Sequence, residues 1–302
     1  MLLAGCGRIG FDPLSGLIDS GSTVDVASCV AATPNNWAAS AMPNDVGSGL
    51  PNIARLAPSS DGLVVVDQIT HLVWQRGSGP SLVAFTDATA YCSTLVLHGC
   101  STWRPPELIE LESIVDHAQT NATIDPSAFP TTPIDQPWWS ATAADPNDTW
   151  VVNFSNGNVF NVPNGTLQYV RCVESSPAGL SPPDRYQVSA ETVLDVETGL
   201  TWQRVADSGT YDLADATTYC STLALDGGGW RVPAVGELES LVNPELAPVI
   251  DPIAFPSAPS SAFWTSSPLR PSDSIDGMIV HFNDGTVIND IVTDLNAVRC
   301  AR

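Results

Sequence analysis

The same nine residues occur twice in this chain, and the duplication limits the folds that it can adopt. Residues 87–95 read DATAYCSTL and residues 215–223 read DATTYCSTL, 128 positions later, with one letter changed. Other matched segments follow in the same order, namely 64–76 with 192–204 and 101–116 with 228–243. Copies of this length exceed the repeats of solenoid proteins, which are about 20–50 residues long. The sequence therefore predicts two homologous domains.

The matched segments define the boundaries of the predicted domains. Domain 1 is predicted to span residues 58–174 and domain 2 residues 188–302. The linker at 175–187 is rich in Pro, Gly and Ser, and such residues interrupt helices and strands. Residues 7–57 match neither copy and are rich in Ser, Pro, Asn, Gly and Ala, so we expect a flexible tether there. We expect residues 1–6 to be the end of a truncated lipoprotein signal.

Each copy carries local patterns of both strands and helices. In the first copy, two β-rich runs separated by a polar turn predict a hairpin. Ala88 and Cys92 lie four residues apart on one helical face, and the proline-led segment PPELIELESIVD predicts a second helix. A long loop that carries tryptophans follows, and then a hairpin around Asn156-Gly157 and a final strand. The predicted fold class is therefore α+β, with two helices and short antiparallel sheets in each domain.

The seven cysteines are distributed regularly between the copies. In each copy two cysteines lie 80 residues apart: Cys92 with Cys172, and Cys220 with Cys300. We predict that each pair forms a disulfide between the first helix and the last strand, as is typical of exported proteins. We expect Cys29 and Cys100 to form a third disulfide, which leaves Cys6 single. Reduced and buried cysteines are the alternative.

The segment Leu3-Ala4-Gly5-Cys6 resembles the lipobox of bacterial lipoproteins, in which the cysteine is lipidated after cleavage. Only five residues precede Cys6, which is shorter than an export signal with its charged and apolar regions. Because Cys6 is the cysteine left without a disulfide partner, lipidation at this position fits the cysteine count. We therefore expect an exported protein of the bacterial cell envelope, anchored by lipid in the outer membrane or at the cell surface. The sequence has no apolar run of about 18 residues that would predict a membrane span.

The charge of the chain is strongly unbalanced. It has 33 acidic and 11 basic residues, a formal net charge of −22, and no lysine. A surface of this sign repels phosphate backbones and anionic lipid headgroups. We therefore exclude nucleic acid as a partner, and we expect contact with a membrane only through the lipid anchor. Cationic, neutral or metal-bridged partners fit this charge better.

Six motifs recur in the same order in both copies. They include D-x-x-T-x-L-x-W-Q at 67–75 and 195–203, then A-x-x-Y-C-x-x-L, W-R-x-P-x-x-x-E-L and a terminal V-R-C. Together these motifs resemble the Lcl C-terminal domain family. The resemblance implies a C-type-lectin-like fold, shared with formylglycine-generating enzymes, in tandem recognition domains that are secreted or lipid-anchored. It also implies adhesion to sulfated glycans, although this chain lacks the clustered Arg or Lys that sulfate binding requires.

We predict that the ligand binds at loops in which the two copies differ, around residues 130–150 and 256–278. Trp138 and Trp150 have no matched tryptophan in the second copy, so we expect them to stack on a sugar. The polar residues of the same loop complete the candidate site: Asp145, Asn147 and Asp148.

Residues that both copies share are expected to have structural roles. The matched tryptophans, such as Trp74 and Trp139, are predicted to lie in the core. The matched arginines are expected to form ion pairs with Glu110 and Glu237, or with Asp67 and Asp195. These arginines are Arg76, Arg104 and Arg171 in the first copy, with Arg204, Arg231 and Arg299 in the second.

The predicted function is recognition of an extracellular glycan or protein by a monomeric cell-surface or periplasmic lipoprotein, through its lectin-like loops. One alternative is a structural envelope protein that binds no glycan, and the last is an enzyme on a formylglycine-generating-enzyme-like fold. We predict no catalytic residues, because no histidine is shared by the copies. We also predict no metal site and no cofactor; calcium stays open, although no clear motif supports it.

Overall fold

The computed structural model of the protein describes residues 38–174 and 185–302, apart from residues 39, 80, 260 and 272. The predictions for Cys6, Cys29 and the lipobox lie outside the described residues, and so does most of the predicted linker. Within the described residues, each copy of the repeat forms an α+β domain, as the sequence predicted.

The two domains share the order of their main helices and strands, but domain 2 has a 3₁₀ turn that domain 1 lacks, and isolated bridges in place of the two-residue strands of domain 1. Domain 1 contains β1 (Leu56–Pro58), β2 (Val64–Asp67), β3 (Val73–Gln75), α1 (Phe85–Thr94), β4 (Trp103–Arg104), α2 (Leu108–Glu112), β5 (Trp138–Ala143), β6 (Asp148–Asn153), β7 (Asn158–Pro163) and β8 (Val173–Glu174). Domain 2 contains β9 (Tyr186–Val188), β10 (Thr192–Asp195), β11 (Thr201–Gln203), α3 (Leu213–Thr222), a 3₁₀ turn (Leu225–Gly227), α4 (Val235–Glu239), β12 (Ala262–Pro268), β13 (Asp276–His281) and β14 (Val287–Ile291).

The first helix of each domain buries one narrow face. Ala88 and Cys92 are the buried residues of α1, and Ala216 and Cys220 are those of α3. A spacing of four residues places each pair on the same side of its helix. Helix α3 begins after Asp212, whose carboxylate caps a backbone N–H of the first turn at 2.8 Å. Among the described residues, no helix is both long and apolar enough to cross a bilayer.

Disulfides fix these helices to the last segment of each domain. Both predicted pairs are present, Cys92–Cys172 and Cys220–Cys300, each closing a separation of 80 residues. Cys100 is disulfide-bonded as well. Its predicted partner, Cys29, lies outside the part of the chain that the structure describes.

A small sheet carries the first hairpin of each domain. In domain 1 the strand order is β1-β2-β3-β8-β4, and the predicted β2–β3 hairpin pairs Val65 with Trp74. In domain 2 the order is β11-β10-β9. Ala301 bridges both Trp202 and Arg231 there, so the end of domain 2 occupies the place of β8.

A larger sheet runs through both domains, in the order β12-β13-β14-β7-β6-β5. Each domain contributes three antiparallel strands, and the predicted hairpins turn at Gly157 and Gly285, both with positive φ. The domains meet where Val287 of β14 pairs with Val159 of β7. These valines occupy the same position of the repeat, so the junction has the self-complementary form of a two-fold dimer interface.

Residues 40–57, which we call the crossing segment, differ from the flexible tether predicted for 7–57. Met42 is 4% exposed and packs with Ile109 of α2. Asn44 bridges Ile53 and donates a hydrogen bond to Glu237 of α4 at 3.2 Å. A few apolar and amide anchors therefore order a segment whose average composition is typical of a linker.

Candidate ligand site between the domains

The two predicted sugar-stacking tryptophans are buried, so that prediction was wrong. Trp138 is 0% exposed and lies in β5, where the sequence predicted a loop. Its ring contacts Phe154 and Tyr169 at centroid distances of 5.7 and 5.3 Å, and its Nε1 donates to the carbonyl of Pro133. Trp150 lies in β6 and is 5% exposed.

Both positions hold an apolar residue in domain 2, although it is not a tryptophan. Phe263 stands at the position of Trp138, and Met278 at that of Trp150, and both are 0% exposed. The sites are therefore apolar in both domains. The matched tryptophans predicted for the core, including Trp74 and Trp139, are indeed buried.

Two polar members of the predicted site, Asp145 and Asn147, lie in the turn between β5 and β6, and the third, Asp148, is the first residue of β6. Asp145 and Asn147 are exposed. The Asp145 carboxylate accepts the backbone N–H groups of Asn147 at 2.6 Å and Asp148 at 3.0 Å. This carboxylate therefore stabilises its own turn, and the buried tryptophans do not face the ligand site that was predicted around it.

A cavity of about 440 Å³ lies between the two domains, at a place that the sequence did not indicate. The crossing segment forms one wall with Asn44 and Asp45, and domain 1 contributes Glu112 and Val115. Most of the remaining wall comes from α4 and β12 of domain 2. Three parts of the chain thus build the cavity together.

Two buried glutamates line this cavity from opposite domains. Glu112 ends α2 and Glu239 ends α4, at matched positions of the two ELES segments, and each is 5% exposed. Neither side chain has a hydrogen-bond donor among the described residues. Burial raises the pKa of Glu239 to about 8. Burial and the nearby charge of Glu239 raise the pKa of Glu112 well above its usual value.

The glutamates two positions earlier differ because each has a cation. Glu110 binds Arg104 through two contacts of 2.7 Å, and its carboxylate also accepts the backbone N–H of Glu107. Glu237 binds Arg231 at 2.6 and 2.7 Å. These ion pairs confirm one of the predicted sets. The second ion pair engages Arg231, the arginine of the cavity wall, so that this arginine does not pair with Glu112 or Glu239.

The other matched arginines do not form the predicted ion pairs. Arg171 and Arg299 are 0% exposed and donate to backbone carbonyls of the first hairpin, at 2.7–3.0 Å. Their guanidinium groups lie over Phe129 and Phe255, respectively. Arg76 donates to the carbonyl of Ala128. Carbonyl oxygens and ring faces, and not carboxylates, therefore hold these cations.

A third acid lies at the wall formed by the crossing segment. Burial, and next the neighbouring carboxylate of Asp116, raise the pKa of Asp45 to about 7. Asp45 accepts the backbone N–H of His117 at 3.1 Å. Burial lowers the pKa of His117 to about 4, so this imidazole is neutral at neutral pH and supplies no positive charge.

The arrangement is suited to binding positive charge or hydrogen-bond donors. A buried carboxyl group without a donor is costly, and its environment favours a ligand that supplies one. The described residues contain no group of three or more His, Cys, Asp or Glu side chains placed to hold a metal ion.

Comparison with known proteins identifies the two copies. The family model of the Lcl C-terminal domain matches residues 63–174 and again residues 191–302. The chain belongs to the Lcl C-terminal domain family. It is a tandem member, as its motifs predicted, and the family match covers both walls of the cavity that contain Glu112 and Glu239. None of the curated proteins matches the chain.

Proposed function

We propose that this tandem Lcl C-terminal domain protein is a binding module of the bacterial cell envelope, which holds part of an extracellular glycan or protein between its domains. The observation that carries the proposal is the interdomain cavity with two buried glutamates that have no donor. Cavities of several hundred Å³ with a few convergent polar groups are typical of ligand sites. A C-type-lectin-like fold of each domain, implied by the family resemblance, is part of this proposal.

The proposed location is the cell surface or periplasm, with a lipid anchor at Cys6. The disulfides Cys92–Cys172 and Cys220–Cys300 support an oxidising compartment, because such bonds persist mainly in exported proteins. Adhesion through a monomer on a lipid anchor is the simplest form of this role.

The proposed role is binding and not catalysis. The two copies share no histidine, and their shared cysteines are consumed in disulfides. Nucleophilic catalysis needs a nucleophile, such as a free cysteine, within hydrogen-bond reach of a base, such as a histidine.

The test is a glycan array and a peptide array, probed with the full chain in the presence and absence of calcium. Ser266 lies exposed on the cavity wall, so Ser266→Trp should fill the entrance and abolish binding. Ala141→Trp is the matched control, because Ala141 occupies the same place in β5, where its N–H bonds Pro106 as that of Ser266 bonds Pro233. Equal binding by wild type and Ser266→Trp would place the site elsewhere. Blank arrays would favour the structural envelope protein.

A further inference from the structure

We infer that the interdomain cavity binds the primary ammonium group of its ligand, held between the side chains of Glu112 and Glu239. The inference rests on the proposed function and names the chemistry of the group that enters. It requires only an amine-bearing part of a glycan or protein, such as an amino sugar, a lysine side chain or a chain terminus.

The charges around the cavity favour a cation. Glu112 and Glu239 interact electrostatically, and the one arginine among the described residues of the wall, Arg231, is occupied by Glu237. The chain has no lysine, and its net charge of −22 attracts cations and repels anions at long range. An ammonium group of the ligand would therefore supply the positive charge that Glu112 and Glu239 do not receive from the protein.

The wall also selects the kind of cation. None of the described residues that line the cavity is aromatic, so the wall lacks the aromatic cage that recognises quaternary ammonium groups. The acceptors present are carboxyl oxygens, which require N–H donors, and a primary ammonium has three. Val115, Val232 and Val235 provide apolar surface for the carbon skeleton that carries the amine.

Binding of an ammonium group should become stronger as the pH rises. Because burial makes Glu239 retain a proton up to about pH 8, a cation must displace that proton at lower pH. The other ionisable groups that face the pair are Asp45 beside Asp116, and the Arg231–Glu237 ion pair. Asp45, whose pKa is near 7, should add to the same trend.

The experiment compares three probes of similar shape by ligand-detected NMR titration of the full chain. These probes are cyclohexylmethylamine, the neutral cyclohexylmethanol and the N-trimethyl derivative of the amine. Sodium chloride at about 1 M shortens the Debye length to about 3 Å and suppresses non-specific attraction to the acidic surface. We expect the amine to bind about tenfold more tightly than the other two, and to weaken as the pH falls below about 8.

Isosteric variants test whether the carboxylates of Glu112 and Glu239 bind the ammonium group. Glu112→Gln and Glu239→Gln keep the volume of the side chain, and each should weaken the amine about tenfold while leaving the alcohol unchanged. Glu191→Gln removes an exposed carboxylate of the same type and should leave all probes unchanged. Ser266→Trp should abolish binding of the amine.

The outcomes separate the inference from the proposed function. Array binding that Ser266→Trp abolishes, with amine and alcohol bound equally, would retain the binding module and overturn the ammonium inference. Amine binding that survives both Gln variants would identify surface attraction and overturn it as well. Tighter binding of the trimethyl derivative would also contradict it. Blank arrays with no probe bound would overturn both.

Discussion

Domains 1 and 2 carry the same buried aspartate but compensate its charge in different ways. In domain 2, Arg185 donates to both oxygens of Asp195, at 2.9 and 2.6 Å, and both side chains are almost fully buried. In domain 1, the matched Asp67 accepts the hydroxyl of Thr70 at 2.8 Å, and burial raises its pKa. Arg55 stands at the position of Arg185, yet it is exposed.

The difference follows from what each domain contacts. Arg185 also donates to the carbonyl of Ala38, 147 residues earlier in the chain, and to that of Ser240. Domain 1 has no such neighbour in the described part of the chain, and its arginine is not drawn inward. The repeated aspartate therefore has a buried cation only in domain 2, where Arg185 also contacts Ala38.

The largest effect is expected from removing the arginine that belongs to domain 2. Arg185→Met should leave Asp195 buried without its cation and lower the free energy of unfolding by about 4 kcal/mol. Arg55→Met removes the exposed counterpart and should change it by less than about 0.5 kcal/mol. Urea denaturation of both variants measures the contrast. Equal losses would show that the two positions are alike after all.

A smaller effect, of the same sign in the two domains, is expected from the two cavity glutamates. Glu239→Gln should stabilise the protein at pH 8 by on the order of 3 kcal/mol relative to pH 5. Glu112→Gln should act in the same direction, because burial and the charge of Glu239 raise the pKa of Glu112 as well. The sign follows because the folded state binds a proton up to about pH 8, whereas the unfolded state releases it near the ordinary pKa of 4.5. Wild-type stability is therefore lost as the pH rises through this window.

Thermal unfolding at several pH values measures the glutamate effect in wild type and both variants. The exposed Glu191→Gln is the control and should follow wild type. If only one of the two Gln variants gained stability at pH 8, only that glutamate would have a raised pKa in the folded protein.

The hairpin glycines, Gly157 in domain 1 and Gly285 in domain 2, provide a further test of how the two domains differ. A Cβ at Gly157 would overlap the imidazole of His117, whereas at Gly285 the nearest atom is Val242 Cγ1, at 3.3 Å. Both glycines have positive φ, so each Ala substitution costs about 1 kcal/mol in backbone strain. Gly157→Ala should cost about 1 kcal/mol more through overpacking, and His117→Ala should relieve that excess. An excess that persists in the double variant would assign it to the backbone.

The smallest effect concerns one hydrogen bond that only domain 1 makes. Arg171 Nη2 donates to the hydroxyl of Thr132 at 2.9 Å, whereas Arg299 Nη2 has no acceptor among the described residues. Ala258 occupies the position of Thr132 in domain 2. Ala258→Thr should therefore stabilise the protein by about 1 kcal/mol, and Thr132→Ala should destabilise it by a similar amount. Differential scanning calorimetry of the pair decides this, and a loss of stability in Ala258→Thr would contradict it.

Patterns local to one copy were sufficient to predict much of each domain. The face formed by Ala88 and Cys92, the turn at Gly157 and the cysteine spacing all depend on nearby residues or on the repeat itself. They gave the helix, the hairpin and both domain disulfides correctly. Strand β5 escaped because Trp138 and Trp139 are adjacent and both buried, so no alternation of apolar and polar residues marks this strand.

The candidate site could not be predicted in this way, because it exists only between the copies. Nothing in the sequence near Glu112 indicates that Glu239 faces it across a cavity. A signal was nevertheless available: both glutamates stand among apolar residues of a short helix, at the same position of each repeat. A charged residue that both copies place on an apolar face is a candidate for burial, and thus for function.

The contact between Ala38 and Arg185 bears on the order in which the parts of the molecule form. Ala38 precedes its partner Arg185 by 147 residues, so synthesis at about 5–20 residues per second separates them by roughly 7 to 30 s. Domain 1 can collapse during that interval, before the domain 2 partners of Ala38 and Asn44 have been synthesised. The cavity between the domains is then the last part of the protein to form, and a chain interrupted within domain 2 would have a native first domain and no place for a ligand.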